Sequence, residues 1–146
     1  MAKRKKNTKI TQNLFHENYI RQKSRSLPVY ECWINQDWEE GRSANVIITR
    51  KHSNGNFTAG IYLVDLLCLG VVESGFRFNI YESEYKELIE SFGEIGENQI
   101  GKIDYALAHN IIFAALEFAD DYGFKPHKDF TNTLQYFLEE DKNLLC

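Results

Sequence analysis

Five side chains of this 146-residue chain have the chemistry of a reaction centre: Asp65, Cys68, His109, His127 and Asp129. A carboxylate and a thiol close in sequence, two imidazoles and a second carboxylate could supply a nucleophile, a general base and a group to orient it, as in a small hydrolase or nuclease. His109, His127 and Asp129 or Asp65 are also ligand types suited to zinc, iron or manganese. Spacing argues the other way. The two histidines are 18 residues apart, and no HxxxH, HExxH, GxSxG or Walker-type pattern is present. Each member also has a structural occupation: Asp65 accepting backbone donors where a strand bends, Cys68 as a small buried hydrophobe, His109 bonding a carbonyl across a core. His127 and Asp129 suit a turn after Pro126. The expectation is a protein that is not an enzyme and has no metal centre or cofactor, with the five-residue constellation as the alternative.

A second chemistry is ionic. Residues 1–27 hold Lys3, Arg4, Lys5, Lys6, Lys9, Arg21, Lys23 and Arg25 against one acid, Glu17, a net charge of +7; the remainder holds nine bases and 20 acids, a net charge of −11. Clustered cations neutralise phosphates with salt-sensitive affinity. These eight residues therefore predict a basic, largely flexible arm, disordered over residues 1 to about 14 and with a short helix over 16–23 outside the core that Tyr19 and Ile20 anchor to the body, the arm ordering against nucleic acid, RNA foremost, within a larger assembly. Phe15, His16 and Tyr19 lie near the charges, able to stack on bases or to staple the arm to the body. The acidic body, with Glu117, Asp120 and Asp121 and again Glu139, Glu140 and Asp141, is expected to dock on protein or to attract the arm itself. A protein-interaction subunit of a bacterial defence or stress complex, with no nucleic-acid role for the arm, is a further alternative.

The elements that must position these groups centre on residues 103–122, IDYALAHNIIFAALEFADDY, which read as one long helix apolar on nearly every side. Its alanines permit close approach, and Leu107, Ile111, Ile112, Leu116 and Phe118 supply area to bury, so walls are expected on several sides. His109-Asn110 is the pair that packing explains least. Strands are expected at 29–34, 44–51, 57–67 and 76–80, with Trp38 in a loop or single helical turn between the first two. Asn54-Gly55 predicts a tight hairpin turn with two positive-φ residues, and Gly60 a bulge or a close backbone approach. Ser83 is placed as the cap of a helix over 84–92 with Tyr85, Leu88, Ile89 and Phe92 on one face. Gly93, Gly96 and Gly101 read as a loose connection, and residues 131–138 as a last short helix or an edge strand.

The fold class is thus α+β: an antiparallel sheet of about four strands covered on one face by two helices. Residues 1–27 form the arm, 28–140 a single domain and 141–146 a frayed tail. No apolar run approaches the ~20 residues of a membrane span. Cys32, Cys68 and Cys146 have no metal spacing and read as reduced thiols, which together with the lack of a secretory pattern places the protein in the cytoplasm.

Residues 59–70 (AGIYLVDLLCLG) and 109–130 (HNIIFAALEFADDYGFKPHKDF) resemble a family of small bacterial proteins, and residues 17–40 (ENYIRQKSRSLPVYECWINQDWEE) are similar to its Bacteroidetes-like members. The resemblance covers most of residues 17–130. It implies no particular activity, cofactor or catalytic residue, so the expectations above rest on the residues themselves.

Overall fold

β-branched and aromatic residues dominate the middle of the chain, and they form a five-stranded antiparallel sheet. The computed structural model describes residues 15–94 and 100–139. Helix α1 covers residues 15–23 and runs into a 3-10 turn at Ser24–Ser26. Then come β1 (Val29–Asn35), the single turn α2 (Trp38–Gly41), β2 (Ser43–Lys51), β3 (Phe57–Asp65), β4 (Gly70–Ile80) and α3 (Glu82–Glu94). Among the described residues there follow β5 (Ile100–Ile103), α4 (Tyr105–Asp121), α5 (Lys128–Asn132) and a 3-10 turn at Leu134–Phe137. The strand order is β4-β3-β2-β1-β5, a meander of the expected four strands with β5 added beside β1. Among the described residues, no helix is long and apolar enough to cross a membrane.

Alternation along the strands sorts the side chains into two layers. Cys32 pairs with Ile48 and Ile34 with Val46, while Val46 pairs with Tyr62 across β2 and β3. These side chains form the main core with Ile20, Ala108, Ile112, Leu134 and Phe137. Gly60 lies on the same face, where an added Cβ would come within 2.7 Å of the Phe137 ring, so the close-approach reading of this glycine holds.

The intervening residues Trp33, Thr49 and Phe57 face the other way, toward α3. There the Tyr85 hydroxyl accepts from Trp33 Nε1 (2.9 Å) and Thr49 Oγ1 (2.9 Å) and donates to Glu31 Oε1 (2.7 Å). Burial pushes the Tyr85 phenol well above its usual pKa, which holds it as a neutral donor to that carboxylate. Helices α3 and α4 therefore cover opposite faces of the sheet, not one. An amphipathic pattern gives a helix an apolar stripe but does not say which side of a two-faced sheet receives it.

Other differences are local. Helix α3 starts at Glu82 rather than after Ser83, because the Glu84 carboxylate accepts from the Tyr81 amide (3.2 Å) at its first turn. In the β2–β3 turn Gly55 has φ +89, and no other residue of the turn is positive. A His52 to Asn56 backbone bond (2.8 Å) closes a three-residue loop instead of a two-residue one. Strand β5 occupies part of the stretch read as a loose connection, pairing Lys102 with Trp33.

In the arm, the expected short helix is present, and it packs into the core instead of lying outside it. Ile20 of α1 is fully buried in the main core, and the Ser24 hydroxyl donates to the carbonyls of Ile20 (2.5 Å) and Tyr136 (3.2 Å). His16 stacks on Phe78 at 4.4 Å and Tyr19 meets the same ring edge-on at 5.1 Å. Residues 15–27 thus belong to the folded body. Lys3, Arg4, Lys5, Lys6 and Lys9 lie outside the described residues, as do Glu140, Asp141 and Cys146.

Candidate functional site

None of the five candidate catalytic residues lines either of the grooves beside α4. Asp65 ends β3, and its carboxylate accepts from the amides of Leu67 (2.9 Å) and Leu69 (3.4 Å), folding the turn into β4. Cys68 is a half-buried thiol on that turn. His109 is buried in α4, its Nε2 2.9 Å from the Glu139 carbonyl and its ring between Tyr105 and Phe113. His127 is exposed and caps α5, with Nδ1 accepting from the Asp129 amide (3.2 Å) and an Asp129 carboxylate oxygen 3.4 Å away. Among the described residues, no three His, Cys, Asp or Glu side chains gather in a way that could hold a metal. Asp65, His109 and His127 therefore carry the structural roles the sequence offered them, with His109 buried and His127 exposed.

Two of the arm's cations are also spoken for. Arg21 donates to the Asn132 carbonyl (3.3 Å) and to the Asn18 side chain, and Arg25 donates to the carbonyls of Leu138 (2.5 Å) and Gln135 (3.4 Å) while lying over the Tyr136 ring. They bind α1 to the C-terminal segment instead of facing a phosphate backbone. Lys23 is exposed, its ammonium 6.0 Å from the Tyr19 ring centroid.

The charged group that organises this end of the molecule is one the sequence reading passed over. Arg50 is 1% exposed. Its Nε donates to the Phe137 carbonyl (3.0 Å), Nη1 to the Leu27 carbonyl (2.6 Å), and Nη2 lies 3.4 Å from Glu139 Oε1. The guanidinium also sits over the rings of Phe137 (5.3 Å) and Tyr105 (5.8 Å). Glu139 closes the cluster, its amide donating to the Tyr105 hydroxyl (2.8 Å) and its carbonyl meeting His109. The signal was present: Val46, Ile48 and Arg50 share one strand face by alternation, so Arg50 had to enter the core. Burial raises the Tyr105 phenol and pushes the neighbouring Cys32 thiol up to about 12, leaving both uncharged.

What the fold leaves unused is apolar. Leu107, Ala114 and Phe118 recur along α4 at spacings of seven and four, which puts them on one helix face, and that face is open to solvent. Leu107 is 42% exposed, Phe118 43% and Tyr122 64%, with Phe118 and Tyr122 packed ring to ring at 5.1 Å. The β3–β4 turn continues this surface with Leu67 (65% exposed) and Leu69 (44%). The walls expected around the long helix are therefore missing on one side.

Grooves flank α4 on both sides. One, of about 560 Å³, lies between α4, the β3–β4 turn and α2; Trp38, Leu66, Leu67 and Phe118 line it, with Arg42 its one charged wall. The other, of about 660 Å³, lies toward α5 and has Glu117, Asp120 and Lys125 among aromatic walls. Asp120 and Lys125 pair with each other at 2.6 Å. Compared with protein-family models, curated proteins and solved structures, the chain matches none.

Proposed function

We propose that this is a non-enzymatic binding protein whose acidic body docks a protein partner through the outer face of α4 and the β3–β4 turn. The observation that carries the reading is the exposed apolar face of Leu67, Leu69, Leu107, Phe118 and Tyr122. Isolated apolar side chains on a surface are ordinary, but a contiguous group framed by charge marks an interaction site. Here the frame includes Glu117 and Asp121 on α4 itself. The hydrolase or nuclease alternative would need Asp65, His109, His127 and Asp129 around one cavity, whereas His109 is buried against the Glu139 carbonyl and Asp65 is engaged by the amides of its own turn.

A tagged full chain tests this by affinity capture from cell extract. A stoichiometric protein retained by the wild type should be lost from Leu67→Asp/Phe118→Asp. Retention by that folded double variant would refute the reading.

Nucleic-acid binding is a second reading, favoured by five cations and no acid in residues 1–14. With Arg21 and Arg25 engaged in the fold, it rests on Lys3, Arg4, Lys5, Lys6 and Lys9. RNA affinity should then fall with salt at a log–log slope of about −0.7 per phosphate contacted, and should vanish when the five are replaced by glutamine.

A further inference from the structure

We propose that the partner docked on the α4 face is a second copy of this chain, in a twofold-symmetric dimer. The inference rests on the docking reading above and names its occupant.

A twofold interface uses one patch twice, so the patch must be complementary to itself. The α4 face meets that condition in apolar character. It presents a ridge, Leu107, Ala114 and Phe118, beside a groove of about 560 Å³ walled by Trp38, Leu66 and Leu67. A twofold axis along α4 lays the ridge of one copy against that of the other, apolar on apolar.

The condition is also met in charge. The Arg42 guanidinium meets no hydrogen-bond or ion-pair partner among the described residues, and neither do the carboxylates of Glu117 and Asp121. These unpaired signs occupy opposite margins of one face, since Arg42 lines the groove on the α2 side of α4 and Glu117 the groove on the α5 side. A twofold axis lying in the interface along α4 exchanges those margins, bringing Arg42 of each copy over the acidic margin of the other. A ligand or partner of a single charge would satisfy one margin and leave the other unpaired.

Arg42 is also held in place. It has φ +55, a left-handed conformation uncommon for arginine, and its carbonyl accepts from the Leu66 amide at 2.9 Å, tying the base of the side chain to the turn that forms the groove wall.

Sedimentation equilibrium of the full chain tests the proposal. The wild type should be dimeric at about 10 μM. Phe118→Asp should be monomeric there, with an unchanged far-UV spectrum and a melting midpoint that no longer rises with protein concentration; Leu67→Asp, on an exposed turn, provides a second test should the first misfold. Arg42→Glu and Glu117→Arg should each weaken the dimer about tenfold, and the double exchange Arg42→Glu/Glu117→Arg should recover most of that loss. A wild type that stays monomeric to millimolar concentration would overturn the dimer, as would a dimer indifferent to Phe118→Asp, or a double exchange no better than the single variants. A monomeric wild type whose captured partner is nonetheless lost with Leu67→Asp/Phe118→Asp would overturn the dimer alone and leave the docking reading standing.

Discussion

Arg50 and Arg42 stand eight residues apart, in and just before the same strand, and they meet opposite surroundings. Each nitrogen of Arg50 is directed at a carbonyl or carboxylate, and two aromatic rings cover its guanidinium. Arg42 borders an apolar groove beside a helix face that the fold leaves uncovered. The contrast extends to the regions around them. The Arg50 end ties the Leu27 backbone, the sheet and the last 3-10 turn together through buried hydrogen bonds, while the α4 face has large apolar groups in water and unpaired charges at its margins. In this molecule, buried polar side chains maintain the fold, and the exposed apolar ones are the surface available to a partner.

Removing the two arginines should separate the regions most sharply. Arg50→Ala leaves the Leu27 and Phe137 carbonyls without their donor and should cost about 3–5 kcal/mol in urea unfolding. Arg42→Ala should stay within about 0.5 kcal/mol of wild type. A smaller contrast comes from Ile20→Ala, expected to cost about 2–4 kcal/mol because a fully buried branched side chain leaves a cavity, against little change for the exposed Phe118→Ala in protein dilute enough to be monomeric. An Ile20→Ala variant as stable as wild type would return residues 15–27 to the status of a separate arm.

Asp65→Ala removes acceptors for two turn amides and should cost about 1 kcal/mol, read by the same unfolding midpoint. The smallest effect is one of pH. Burial lowers the His52 pKa below its ordinary 6.5, so the unfolded chain takes up the proton more readily than the folded one. The stability this residue contributes is present above pH 6.5 and is lost as pH falls through the lower folded value. His52→Gln should flatten that part of the stability profile.

The strands and the long helix were legible because they obey strong periodicities. Val46, Ile48 and Tyr62 alternate onto one layer, and α4 spans Tyr105–Asp121 within the expected 103–122. Strand β5 was not legible: four residues containing Gly101 carry too little pattern, and pairing with β1 supplies what propensity does not. The Asn54-Gly55 signal located a turn without fixing its type, since one positive φ sufficed.

In the candidate site, residue type outweighed position. His109, His127 and Asp129 drew attention as reactive groups, though each was equally suited to the cap or core bond it makes. Arg25 counted as a phosphate ligand until carbonyls 110 and 113 residues away claimed it. The apolar content of α4 was read as burial within the monomer, because a helix sequence records how much surface seeks cover but not which chain provides it.

The most direct test sets the two kinds of candidate side by side, capturing partners with Leu67→Asp/Phe118→Asp and with His127→Ala/Asp129→Ala, each checked for a wild-type far-UV spectrum. The expected result is loss of the partner from the first variant and full retention by the second. Retention by the first, or loss from the second alone, would contradict a binding surface on α4 and return the function to the histidines.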